Sequence, residues 1–63
     1  MSKINKNNVL HYIMDYESGQ ISDEDFINLF QYLVDSGLAW RLQGSYGRLA
    51  KTLIESGLIE YKR

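Results

Sequence analysis

The sequence predicts an all-α fold, a compact three-helix domain with a short extended tail at its C-terminal end. Two observations carry that expectation. One helix ending is written three times, as Glu17-Ser18-Gly19, Asp35-Ser36-Gly37 and Glu55-Ser56-Gly57, each followed within two positions by an apolar residue. Glycine takes the left-handed position just past a helix without a Cβ penalty, and the apolar residue behind it packs onto the last turn. Between these endings, apolar residues recur at helical spacing, and no proline interrupts them anywhere in the chain.

The first segment, residues 1–7, is polar and is expected to be a disordered lead-in to a single small domain over 8–63. Asn5, Asn7 and Asn8 are the candidate caps of the first helix, expected near 8–17. Val9, Tyr12, Ile13 and Tyr16 keep helical spacing along it, while Leu10 and Met14 widen the apolar stripe beyond half the circumference. A helix that apolar is either sandwiched between two others or supplies an interface. Leu10 and Met14 are therefore the expected contacts of a homo-oligomer, with a well-packed helical monomer as the alternative.

Ser22 opens the second helix, expected over 22–36. Asp23, Glu24 and Asp25 follow it at the positive end of the helix dipole, and Asp25 stands where a capping box places its acid. Ile21 and Phe26 fit a hydrophobic staple. Phe26, Leu29, Phe30, Leu33 and Val34 then form one unbroken apolar face. The stretch 38–44 is too short for periodicity to choose between a helical turn and an extended connector. Ser45 is the expected cap of the third helix, over 45–56, where Tyr46, Leu49, Ala50, Leu53 and Ile54 repeat the second helix's pattern. Gly47 in its first turn weakens that helix by about 1 kcal/mol relative to alanine, which implies a close approach of something to the backbone. Leu58 to Tyr61 alternates too briefly for more than a tail or edge strand. The expected core is Ile13, Tyr16, Phe26, Leu29, Phe30, Leu33, Leu49, Leu53 and Ile54.

A chain of 63 residues buries only about 60% of the surface its unfolded form exposes, so self-association or partner binding would help it. It has no cysteine, hence neither disulfides nor thiolate metal sites. A net charge of −1 argues against a generic nucleic-acid or membrane-surface protein, which carries a basic excess. No apolar run reaches the length of a membrane span, and the start lacks a signal peptide's apolar core. A soluble protein inside the cell is expected.

No catalytic constellation, metal site or cofactor site is expected. His11, the one histidine, lies opposite the stripe of the first helix and has no cysteine to act with. Asp23, Glu24 and Asp25 point in different directions and lack calcium-loop spacing. Gly44 and Gly47 occur without the lysine of a phosphate loop. The segment from Gly37 to Lys51 differs in kind. It gathers Trp40, Gln43, Gly44, Tyr46 and Gly47 with Arg41, Arg48 and Lys51, and contains no acid. Tryptophan, tyrosine and arginine are the residues enriched at binding hot spots. The competing reading places Trp40 and Tyr46 in the core and pairs the arginines with Asp35 and the acids of the second helix.

The run Gly37-Leu38-Ala39-Trp40-Arg41-Leu42-Gln43-Gly44-Ser45-Tyr46-Gly47-Arg48-Leu49-Ala50 resembles a family of short tailed-bacteriophage and prophage proteins of unknown function. Their shared pattern is glycine-leucine-alanine-tryptophan-x-leucine-glutamine-glycine-x-tyrosine-glycine-arginine, preceded by an acidic helix start and a Leu-Phe pair. Ser22 to Asp25 and Leu29-Phe30 match those features, and the likeness covers about residues 16–59. Ser45 stands where the family commonly has a histidine, so no role of that histidine carries over. The resemblance implies a phage origin, and hence the host cytoplasm.

The expected function is that of a small non-enzymatic protein that binds a host or phage protein, inhibiting or redirecting a host or defence factor. Trp40, Arg41, Gln43, Tyr46 and Arg48 are its expected contact residues. The alternative is a helix-turn-helix-like nucleic-acid-binding regulator with Arg48 and Lys51 on its second helix. Against it stand the long connector from Gly37 to Gly44 and the few cations that the third helix exposes.

Overall fold

The computed structural model describes residues 4–61. Its elements are α1 (Val9–Ser18), α2 (Asp23–Ser36), a 3-10 turn (Leu38–Trp40) and α3 (Gly44–Glu55). The Cα radius of gyration is 10.6 Å, close to the roughly 11 Å expected of a folded chain this long. The 3-10 turn packs on both α2 and α3, and α1 packs against α2.

All three glycine endings form. Gly19, Gly37 and Gly57 have φ of 80°, 82° and 82°. At Gly19 and Gly57 the next residue's N–H returns to the carbonyl one turn back, Gln20 to Asp15 at 2.9 Å and Leu58 to Leu53 at 3.0 Å. Those bonds make the two ends Schellman motifs. At Gly37 the chain leaves differently. Leu38 N–H reaches the Ser36 hydroxyl at 3.4 Å, and the backbone coils into the 3-10 turn. The serine of each triplet has a common task. Ser18, Ser36 and Ser56 donate from Oγ to the carbonyls of Asp15, Leu33 and Leu53 at 3.1, 3.3 and 2.9 Å, adding a second bond at Asp15 and Leu53 and using the free capacity of carbonyls in the last turn.

Ser22 caps α2 as expected, its Oγ accepting from Asp25 N–H at 3.2 Å. Asn8, one of the expected caps, precedes α1, while the lead-in and the start of α3 need correction. Residues 1–3 of the expected lead-in lie outside the described residues, but Ile4 sits in the core with 3% of its surface exposed. Asn5 and Asn8 then cap each other, Asn5 Oδ1 accepting from Asn8 N–H at 3.2 Å and Asn8 Oδ1 from Asn5 N–H at 2.8 Å. This reciprocal box closes the turn that feeds α1. Ser45 is not a cap. Gln43 precedes the first residue of α3, without a side-chain bond, and its carbonyl takes Tyr46 N–H at 2.9 Å.

Leu29, Phe30 and Leu33 are wholly enclosed, and Val34, Ala39, Tyr46, Ala50, Leu53, Ile4 and Ile59 complete the buried core. Ile13, Tyr16, Phe26, Leu49 and Ile54, also expected inside, are partly buried against it. Four rings from three helices lock together: Phe30 lies 5.0 Å from Phe26, 5.4 Å from Tyr16 and 5.9 Å from Tyr46 between centroids. Each such contact adds about 0.5–1.5 kcal/mol beyond the area it buries. No residue of α1 is fully buried, so α1 covers one side of the core and is not sandwiched. Its Leu10 and Met14 are 66% and 62% exposed.

The tail after Gly57 forms no strand among the described residues. Three consecutive residues fix it by three different means. Ile59 enters the core. Glu60 is gripped through its backbone by Gln31 of α2, whose Nε2 donates to the Glu60 carbonyl and whose Oε1 accepts the Glu60 N–H, both at 2.8 Å. Tyr61 rests its ring on Trp40, with centroids 5.5 Å apart. A strand neighbour would supply the same pair of backbone bonds, here provided by one side-chain amide. Ordering a backbone residue costs about 1–2 kcal/mol, which these contacts offset.

Candidate binding surface

Five residues were expected to form a contact patch: Trp40, Arg41, Gln43, Tyr46 and Arg48. The structure divides them. Trp40 ends the 3-10 turn with 45% of its surface exposed. One side of its indole lies over Gly47, where an added Cβ would stand 3.5 Å from both Trp40 Cε3 and the Ala39 carbonyl oxygen. The close approach expected at Gly47 is therefore made by the protein's own 3-10 turn, at ordinary van der Waals distance. Arg41 follows Trp40 directly, Arg48 follows Gly47, and both are exposed, as is Gln43. Gly44 has open space where a side chain would begin.

Tyr46 leaves the patch. It is 5% exposed, and its ring joins the four-ring cluster because it lies on the inward stripe of α3 with Ala50 and Leu53. Its hydroxyl donates to Glu17 Oε2 at 2.7 Å, which ties α3 to the end of α1 and gives the buried oxygen a partner. Burial, then the hydrogen bond and charge of Glu17, raise the Tyr46 hydroxyl above its ordinary titration range, with a smaller contribution from Tyr16.

The arginines behave in the opposite way. Pairing with Asp35 and the acids of α2 would make them structural, yet neither Arg41 nor Arg48 makes an ion pair or side-chain hydrogen bond among the described residues, and nor does Lys51. Asp35 instead accepts from Gln31 Nε2 at 3.0 Å. Arg41 and Arg48 thus stand unneutralised next to Trp40 and to the Gly47 beneath it, with Lys51 further along α3, in a stretch without acids. His11 lies on α1, 3.5 Å from Asp15, and takes no part in this corner. Among the described residues no three histidines or acids gather as metal ligands, and no helix is long and apolar enough to cross a membrane.

A family model described as a domain of unknown function, DUF7417, matches residues 1–62. The chain belongs to this family. The match takes in the core, the Trp40 corner and the tail alike. No curated protein and no solved structure matches the chain.

Two contributors to the corner escape sequence reasoning. Tyr61, 47% exposed, reaches Trp40 from the tail, and Gln31 holds that tail. Both act across long stretches of chain, where no local periodicity signals a contact.

Proposed function

We propose that this chain is a non-enzymatic binding protein of a tailed phage or prophage that engages a host or phage protein in the host cytoplasm, inhibiting or redirecting a host or defence factor. The observation that carries the reading is the Trp40 corner. A large aromatic side chain stands half exposed beside Arg41 and Arg48, which have no acidic partner among the described residues. Trp40 is the apolar anchor, the arginines supply charge-assisted hydrogen bonds to carboxylates, and Gln43 and the open backbone at Gly44 complete the contact. Tyr46 supports the surface from beneath. The phage assignment rests on the resemblance of residues 37–50 to phage proteins, and the family leaves function open.

The nucleic-acid alternative draws on the exposed Arg48 and Lys51 of α3. It is the weaker reading. Seven residues separate α2 from α3 and include the 3-10 turn, longer than the three or four of a helix-turn-helix. The Thr52 hydroxyl is turned to the Arg48 carbonyl at 3.1 Å, leaving few donors for phosphates.

The double change Arg41→Ala with Arg48→Ala tests the proposal, since both side chains lie outside the core. Capture of the partner from infected cells should weaken by about 2 kcal/mol or more, roughly thirtyfold, while the thermal melt stays put. Unchanged capture by a folded double variant would move the contact surface elsewhere, α1 with Leu10 and Met14 being next in line. Salt-sensitive retention of the wild type on duplex DNA would favour the alternative.

A further inference from the structure

The C-terminal tail is built into the Trp40 corner with more care than tail anchoring requires. Ile59 alone would tether it, since that side chain is buried. Yet Gln31 also takes both backbone groups of Glu60 at 2.8 Å, which fixes the direction in which the next residue leaves. That residue is Tyr61, and its ring meets Trp40 at 5.5 Å and 57°. The contact does not hide either ring: both stay nearly half exposed. Two fixed aromatic rings therefore present a joint apolar surface, bordered by the 37–54 stretch that carries Arg41, Arg48 and Lys51 and no acid.

We infer that Tyr61 and Trp40 together form the docking surface for an acidic segment of a partner protein with a bulky apolar side chain, and that Gln31 is the positioning residue that latches Tyr61 in place. This rests on the protein-binding reading above and extends it to residues outside the motif. Charge selects the occupant. The chain as a whole is slightly acidic. Arg41, next to Trp40, and Arg48, next to the Gly47 that the indole covers, are nonetheless exposed and unpaired among the described residues. They outnumber Glu60, the acid next to Tyr61, so this corner attracts carboxylates and repels basic segments. An apolar side chain on the ligand would cover the rings, and the arginines would take its flanking acids in charge-assisted bonds. Preset rings also reduce the ordering that binding must impose.

The test selects a random-peptide display library on the full-length wild-type protein and measures the enriched peptides by fluorescence anisotropy. Enriched sequences should place Asp and Glu around Leu, Phe or Trp. Tyr61→Ala, which removes an exposed ring outside the buried core, should weaken them about tenfold. Gln31→Ala should weaken them several-fold and free the Glu60 amide to exchange, with the far-ultraviolet dichroism intact. If Arg41→Ala with Arg48→Ala abolishes binding while Tyr61→Ala and Gln31→Ala bind as wild type, the tail has no part in docking and this inference fails, though the protein-binding reading stands. Enrichment of basic peptides, or of none, overturns both. So does sedimentation showing that the surface is covered by a second copy of the chain.

Discussion

Trp40 and Tyr46 belong to one motif and one packing unit, yet they meet opposite fates. Tyr46 packs against two rings, Tyr16 and Phe30, and its hydroxyl is satisfied by Glu17. Trp40 is propped between Gly47 and Tyr61 and left half open. The charges divide in the same way, since the acid of the pair serves the buried tyrosine while the arginines beside the tryptophan serve nothing within the described chain. Folding explains every contact of Tyr46. It leaves unexplained why a half-exposed indole stands beside two guanidinium groups that have no acidic partner among the described residues, and the proposed binding role rests on that contrast. The motif thus has a structural half that holds the helices and an exposed half that faces outward.

That contrast can be broken at several strengths. Phe30→Ala strikes the closed half hardest, removing the ring that touches three others, and should cost about 3–5 kcal/mol. A domain this small has total stability of similar size, so the variant should show no cooperative melt by circular dichroism. Gln31→Ala, at the boundary between the halves, should cost about 1–2 kcal/mol by chemical denaturation, from the loss of its two bonds to Glu60. Tyr46→Phe should cost about 1 kcal/mol and carries a pH signature. The folded state holds the Tyr46 hydroxyl above its ordinary value near 10, through burial and Glu17. Its contribution is therefore complete below about pH 10 and is lost as pH rises from there toward the folded value. Alkaline melting curves should fall more steeply for the wild type than for Tyr46→Phe. Gly47→Ala sharpens the other side. Its new methyl would meet the Trp40 ring and the Ala39 carbonyl at ordinary contact distance, so the better helix former should stabilise the fold by about 0.5 kcal/mol. A stabilised variant with weakened partner capture would show that glycine is kept there for binding.

The local features were legible and the long-range ones were not. The three glycine endings and the Ser22 cap follow from chemistry within a few residues, and each is where sequence places it. The apolar stripe of α2 is equally local, and Leu29, Phe30 and Leu33 are enclosed as expected. Ile4 was missed because a single apolar residue in a polar run has no period to betray it. Ser45 misled because a good capping residue followed a glycine that itself begins α3. The pairs Tyr46–Glu17 and Gln31–Glu60 are each separated by 29 residues, and nothing in either neighbourhood announces the other. At the candidate surface, composition singled out the segment but could not divide its aromatics. The apolar stripe of α3 turns Tyr46 inward with Ala50 and Leu53, and only the course of the tail brings Tyr61 to Trp40.

Because Trp40 is the chain's one tryptophan, it reports on the open half alone. The most direct test replaces it with fluorotryptophan during expression and follows its fluorine resonance as the captured partner is added. Docking on the Trp40 corner predicts a large shift and loss of solvent-isotope sensitivity at that single signal, with Tyr46 and the core unchanged. A saturated complex in which the Trp40 resonance neither moves nor loses solvent contact would contradict the assignment of this corner as the binding surface.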